Sequence, residues 1–247
     1  MVLAAVEAPR WRRDRRGSRP ARFDPTPVEV TRATVVEGAP IEGRDMAEAW
    51  LERGSGRDSD ATVAAALAVL NRALHARRIA AADPYVGEVA PHHALLTRVG
   101  YGTGEQVADG RWSAARELPG ARQRPRREAS LRPQERFAAL LSARDAALAC
   151  ELLALRARLD LEHGREREAA LQLEAALAAA ASELAGWREL DGMAGRLAEL
   201  DSLRPGVAAV AAAARAGGLD AARVGTVAHA LERLEAALRA RTAGAAF

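Results

Sequence analysis

Four groups of residues in this sequence are of types that could do chemistry. The first is Gly100-Tyr101-Gly102-Thr103-Gly104, which follows a strand-like run. A dinucleotide-binding loop needs G-x-G-x-x-G opening a helix whose N–H groups face a pyrophosphate. Here the third Gly comes one residue early, and Asp109-Gly110 would break the helix soon after, so a hairpin turn accounts better for the glycines. The second group is His92-His93. Consecutive residues on an extended strand point to opposite faces, so such a pair rarely binds one metal. His75, His163 and His229 stand at no H-x-x-x-H spacing to these or to one another. His163, directly before Gly164, suits the free carbonyls of a helix end instead. The third group, Glu105 with Asp109, would put two carboxylates one helical turn apart. Acid–base work also needs a helix that Gly110 disfavours and a pocket that shifts one pKa against the other. An enzyme would need such a polar pocket around Tyr101, Glu105, Asp109 and His92 or His93. Fourth is Cys150, among Ala149, Leu152 and Leu153. It reads as a buried structural thiol, because a nucleophile wants a helix N-terminus or a cationic neighbour.

None of the four completes a site, so no catalytic residue, cofactor-binding residue or metal ligand is assigned, and the sequence favours a non-enzymatic protein. Basic composition narrows the chemistry further. All 36 basic residues are Arg, with no Lys anywhere. A Schiff-base nucleophile needs an amine that can become neutral, which a guanidinium cannot supply. Pyridoxal phosphate enzymes, lysine-type aldolases and a standard P-loop with its phosphate-contacting Lys are thereby excluded. The single Cys excludes an intrachain disulfide and a cysteine zinc cluster.

The net charge of +3 is unevenly spread. Residues 1–27 carry seven Arg against Glu7, Asp14 and Asp24, and residues 119–136 carry six against Glu128 and Glu135, leaving a mildly acidic remainder. Arg10, Arg12, Arg13, Arg15 and Arg16, beside Trp11, are candidate polyanion contacts in which guanidinium groups meet phosphates and a ring stacks on a base. Arg124, Arg126 and Arg127 make a second candidate strip, together with Arg122. No helix-turn-helix, zinc-finger or RNA-binding sheet pattern accompanies them. An excess of Ala, Arg and Gly with one Asn (Asn71) and two Ile (Ile41, Ile79) is also what GC-rich coding DNA produces.

The elements that would position these residues divide the 247-residue chain. Residues 1–27 and 119–132 are rich in Arg and Pro without apolar periodicity, and read as a disordered basic tail and a linker. Residues 28–118 read as a small α+β domain. A β-branched run at 28–36 predicts a strand, and 44–53 predicts a short helix with Met46, Ala49, Trp50 and Arg53 on one side. Asp58, Ser59 or Asp60 can cap a helix with the stripe Val63, Leu67, Leu70, Leu74. Further strands are predicted at 94–101 and 111–118.

Residues 133–243 predict an antiparallel helical bundle. Pro133 suits a first helical turn. The stripe Phe137, Leu141, Leu148, Leu152, Leu155, Leu159 then predicts one helix running to Gly164. A second begins near Glu166 and carries Ala169, Leu173, Ala176, Leu177, Ala180 and Leu184. Gly186 and Gly192–Gly195 interrupt it, and a shorter helix with Leu197 and Leu200 should end before Pro205. The last helix, from near Asp220, bears Val224, Val227, Leu231, Leu234 and Leu238. Its spacing could pack within the chain or against a second copy, and the short stretch favours the former.

Gly164, followed by Ala169, Leu173 and Ala176, with Ala157 as the small residue of the preceding helix, resembles the hairpin of a tetratricopeptide repeat. The resemblance covers one hairpin, about 34 residues, and no second copy occurs at that period. It implies a peptide-binding or scaffold role.

The fold expected is mainly α, a small α+β N-terminal domain followed by a helical bundle. The function expected is interaction or scaffolding through the helical part, with a protein partner or self-association. The alternative is accessory nucleic-acid binding through the two Arg strips. No apolar stretch reaches the roughly 18 uncharged residues of a membrane span. The opening MVLAAVEAPRWRRDRRG puts apolar residues before charges, the reverse of a secretory signal. The expected location is therefore the cytoplasm.

Overall fold

The structure is a computed structural model that describes residues 1–6, 30–119 and 133–244. The chain forms two compact units, Met1–Gln123 and Arg124–Phe247. Among the described residues it is mainly helical, with a small β component that lies in the first unit.

In the first unit, β1 (Val2–Val6) pairs antiparallel with β2 (Val30–Thr34), in a register setting Val2 opposite Thr34 and Val6 opposite Val30. The first residues of the stretch read as a disordered tail, Val2–Val6, thus form a strand. Val2 and Leu3 suit a pleated surface, and the partner strand falls in the β-branched run predicted at 28–36. Most of that tail, from residue 7 onward, lies outside the described residues.

Helix α1 (Arg44–Ser55) packs against a second hairpin, β3 (Arg98–Tyr101) with β4 (Ala114–Glu117), paired Arg98 to Glu117 and Tyr101 to Ala114. Its buried face is Ala47, Leu51 and Gly54 rather than the predicted Met46 side; Met46 is exposed. Leu51 meets Val99 and Leu118, with Trp50, Val63, Tyr101 and Ala114 around them. That core is small, and the unit relies on local polar clamps as well.

The clearest clamp is Asn71, on α2 (Ser59–Ala81). Its Nδ2 donates to the Val89 carbonyl at 3.0 Å, and its Oδ1 accepts the Val89 N–H at 2.8 Å. One buried amide thus satisfies both backbone groups of a segment that has no ladder of its own. Asn71→Ala should destabilise this unit by about 1–3 kcal/mol, the cost of two partly buried backbone groups left unmatched. Urea unfolding followed by circular dichroism would show it, and an unchanged midpoint would contradict the clamp.

The second unit is built on four helices: α4 (Ala149–Glu162), α5 (Glu166–Glu183), α6 (Met193–Ala216) and α7 (Ala221–Gly244). A short helix, α3 (Pro133–Leu141), precedes them. Adjacent helices run antiparallel. Glu183 at the end of α5 accepts the N–H groups of Ala149 and Cys150 at the start of α4, at 3.0 and 2.9 Å. Arg158 of α4 forks onto Glu235 of α7 at 2.8 and 2.9 Å. Arg215 of α6 pairs with Glu174 of α5, and Arg233 of α7 with Glu199 of α6. Inside, Leu173, Leu184, Met193, Val207, Val227, Leu231 and Leu234 are fully buried in one core. The α5 residues Ala169, Leu173, Ala176, Leu177 and Ala180, with Leu184 directly after the helix, are all buried as their stripe predicts.

Two expectations fail here. The stripe from Phe137 to Leu159 is not one helix. The chain leaves α3 at Leu141, turns with Ala143 in the left-handed region (φ 56°), and restarts at Ala149. Ser and Asp supply the local bonds that compete with a helix here. Ser142 Oγ donates back to Ala138 O at 2.8 Å, and Asp145 Oδ1 accepts the Ala146 N–H at 2.8 Å. Nor does the third bundle helix stop before Pro205, since α6 runs through it to Ala216. Proline removes one helical hydrogen bond and crowds the preceding turn. Burial of Val207, Val210, Ala211 and Ala214 beyond it offsets that cost.

Candidate interaction surface

The bundle puts small side chains inward along α4. Cys150, Ala154 and Ala157 are buried, and they face an α5 whose Ala169, Ala170 and Ala176 are equally buried. α4 and α5 share the most extensive helix–helix packing among the described residues. Alanine against alanine lets two helices approach closely. Leu153 and Leu161 pack at the edge of that core, while three large apolar residues of α4 point outward: Leu152, Leu155 and Leu159 are 52%, 68% and 37% exposed. With spacings of three and four they form one stripe on the outer face. Helix α3 repeats the inversion, with Ala139 fully buried while Phe137 and Leu141 are exposed. Among the described residues, every large apolar side chain exposed on the second unit belongs to α3 or α4.

Exposed leucines are ordinary singly, but a run of them on one helix face is the usual mark of a surface that meets something. Covering these five side chains would release on the order of 5 kcal/mol, at roughly half the value of full burial for each. That is enough to support binding before the costs of association are subtracted. The last helix supplies no comparable face. Val227, Leu231 and Leu234 of its predicted stripe are buried within the chain, against α4, α5 and α6.

The outer face stands on a rigid base. Where α3, the 142–148 turn, α4 and α7 meet, two Arg and two carboxylates interlock. Arg136 reaches Asp145 at 3.1 Å and forks onto Glu151 at 2.6 and 2.7 Å. Arg241 reaches the other Asp145 oxygen at 2.6 Å and Glu151 at 3.5 Å. Arg241 is 3% exposed and its guanidinium lies 4.9 Å from the Trp187 ring centroid. Two charges of each sign cancel. Burial pushes Asp145 up, but hydrogen bonds from Arg241 and Arg136 outweigh it and hold the carboxyl below the ordinary aspartate value. At the other end of α4, Asp160 ties the turn around Gly164 (φ 69°). It accepts Arg165 Nε at 2.5 Å and also Gln172 Nε2. No sequence signal points to the Arg136–Asp145–Glu151–Arg241 cluster, because Arg241 joins it from 96 positions beyond Asp145.

The residues singled out from sequence fall elsewhere. Gly100 sits in β3, where a Cβ would lie 2.1 Å from the Trp112 ring and 2.6 Å from the Ala114 carbonyl. The glycine makes room for the hairpin, and Trp112 Nε1 donates to Val107 O at 3.0 Å across it. Glu105 and Asp109 lie in and just after a single 3-10 turn, Glu105–Val107, and both are exposed. His92 and His93 occupy another such turn, Pro91–His93, rather than an extended strand. Their rings meet edge to face at 4.3 Å, and His93 Nδ1 accepts the Ala90 N–H at 3.2 Å. Among the described residues no group of three His, Cys, Asp or Glu is placed to hold a metal ion. His163 Nδ1 lies 2.8 Å from Leu159 O, at the end of α4. An open groove of about 830 Å³ lies between α5 and α6, lined by Glu174, Leu177, Asp201 and Pro205 among others. It belongs to the second unit, whereas Tyr101, Glu105 and Asp109 belong to the first.

Cys150 is buried at the first turn of α4. Desolvation, then the neighbouring Glu183 carboxylate, pushes its thiol up to about 12. The helix N-terminus, which would ordinarily lower a thiol pKa, is already occupied by that carboxylate. The folded protein should therefore resist alkylation by iodoacetamide at neutral pH, and react only after denaturation. Fast labelling of the native chain would contradict this placement. The Arg residues offered as polyanion contacts, Arg10, Arg12, Arg13, Arg15, Arg16, Arg124, Arg126 and Arg127, all lie outside the described residues.

No family model matches the chain, and no curated protein and no solved structure matches it. Among the described residues no helix is long and apolar enough to cross a membrane.

Proposed function

We propose that this protein is a non-enzymatic interaction or scaffold protein that acts through its helical second unit. One observation carries the reading. Helices α3 and α4 turn Phe137, Leu141, Leu152, Leu155 and Leu159 to the outside of a bundle whose interior is already filled. The α4–α5 hairpin also keeps the tetratricopeptide-like arrangement of a Gly turn with small residues at the helix contact, which suits a partner-binding role. A partner protein or a second copy of the chain would cover the outer face.

The test is a double substitution, Leu152→Glu with Leu155→Glu, at positions exposed enough to leave thermal unfolding unchanged. Light scattering over a concentration series, together with cross-linked capture of partners, should show association by the native chain that the variant loses. If the native chain neither self-associates nor retains a partner, or if the variant retains both, the reading is wrong.

The second reading is nucleic-acid binding through the Arg strips, favoured by their charge and by Trp11 beside the first of them. Changing Arg10, Arg12, Arg13, Arg15 and Arg16 to Gln leaves β1 and β2 in place, which deletion of residues 1–27 would not. This reading expects binding of a DNA duplex that falls steeply with salt. The variant should show a shallower salt dependence, by up to about 0.9 in log–log slope for each phosphate that is no longer neutralised. Equal slopes for the two proteins would remove it.

A further inference from the structure

We draw no further inference here: the strongest candidate, the stripe Leu152, Leu155 and Leu159 on the outer face of α4 taken as a dimer face, is an unpartnered apolar surface, and nothing in the structure shows what covers it.

Discussion

Arg241→Ala should lower the stability of the helical unit by about 3 kcal/mol, the low end of the cost of breaking a buried ion pair. The low end applies because Arg136 still reaches both carboxylates after the change. Asp145 would nevertheless lose its 2.6 Å partner in a place where its side chain is 9% exposed. The variant would also lose the stacking of the guanidinium over Trp187 and the packing of the Arg stem. In a unit of this size the thermal midpoint should fall by roughly 10 °C. A double-mutant cycle separates network from packing. Asp145→Asn alone and Arg241→Ala alone should each be costly, and together they should cost clearly less than their sum, because the second change removes a charge the first has already orphaned. Additive costs would show that the pair is not coupled, and a loss under about 1 kcal/mol for Arg241→Ala would show that the cluster does not hold this end of the bundle.

The same cluster fixes the sign of the acid response. Asp145 has its pKa held down in the folded state by Arg241 and Arg136, against the upward push of burial. Above the ordinary aspartate value of about 3.9 both folded and unfolded chains are ionised, and the stabilisation is fully present. Between that value and the lower folded one, only the unfolded chain takes up the proton, so stability is lost as pH falls. Glu183 adds to the loss in the same direction. Its burial is outweighed by the Cys150 and Ala149 N–H groups that it accepts, and protonation would release them. In Arg241→Ala the slope of stability against pH below about 4 should be flatter than in the native chain.

Some of this architecture can be read along the chain, and the reason is local. On α5 the inward residues Leu173 and Leu177, like Leu184 at its C-terminal end, are the large ones, so periodicity and burial agree. Gly164 is needed at a positive φ, and the turn stands where the glycine does. On α4 periodicity and burial disagree. The leucines make the visible stripe, yet it is Cys150, Ala154 and Ala157 that occupy the interior. Close helix approach selects small residues, and no rule based on hydrophobicity alone separates an inward Ala from an outward one. The helix through Pro205 is hidden for a similar reason, since local propensity counts the proline and cannot count what Val207 and Val210 bury beyond it. β1 merges with the Arg-rich run that follows it because its partner strand lies well down the chain. The ionic cluster is least visible, because Arg241 and Asp145 stand 96 positions apart. The candidate surface can thus be named residue by residue from the sequence, but with the opposite assignment of inside and outside.

That inversion gives the second large effect. Leu173→Ala should cost about 3 kcal/mol, since a fully buried leucine is replaced by a cavity that the packed helices around it cannot close. Leu155→Ala, on the outer face of α4, should cost under about 0.5 kcal/mol, as surface changes do. If Leu155 were a core residue, as its stripe suggests, the two substitutions would cost the same. The complementary change is Ala157→Leu. Ala157 has no exposed surface, and a leucine there would have to force α4 from its neighbours, at about 1–3 kcal/mol. Urea unfolding of the three variants settles which face of α4 is inside. A costly Leu155→Ala beside a harmless Ala157→Leu would turn the helix over, bury the stripe, and remove the surface on which the interaction reading depends.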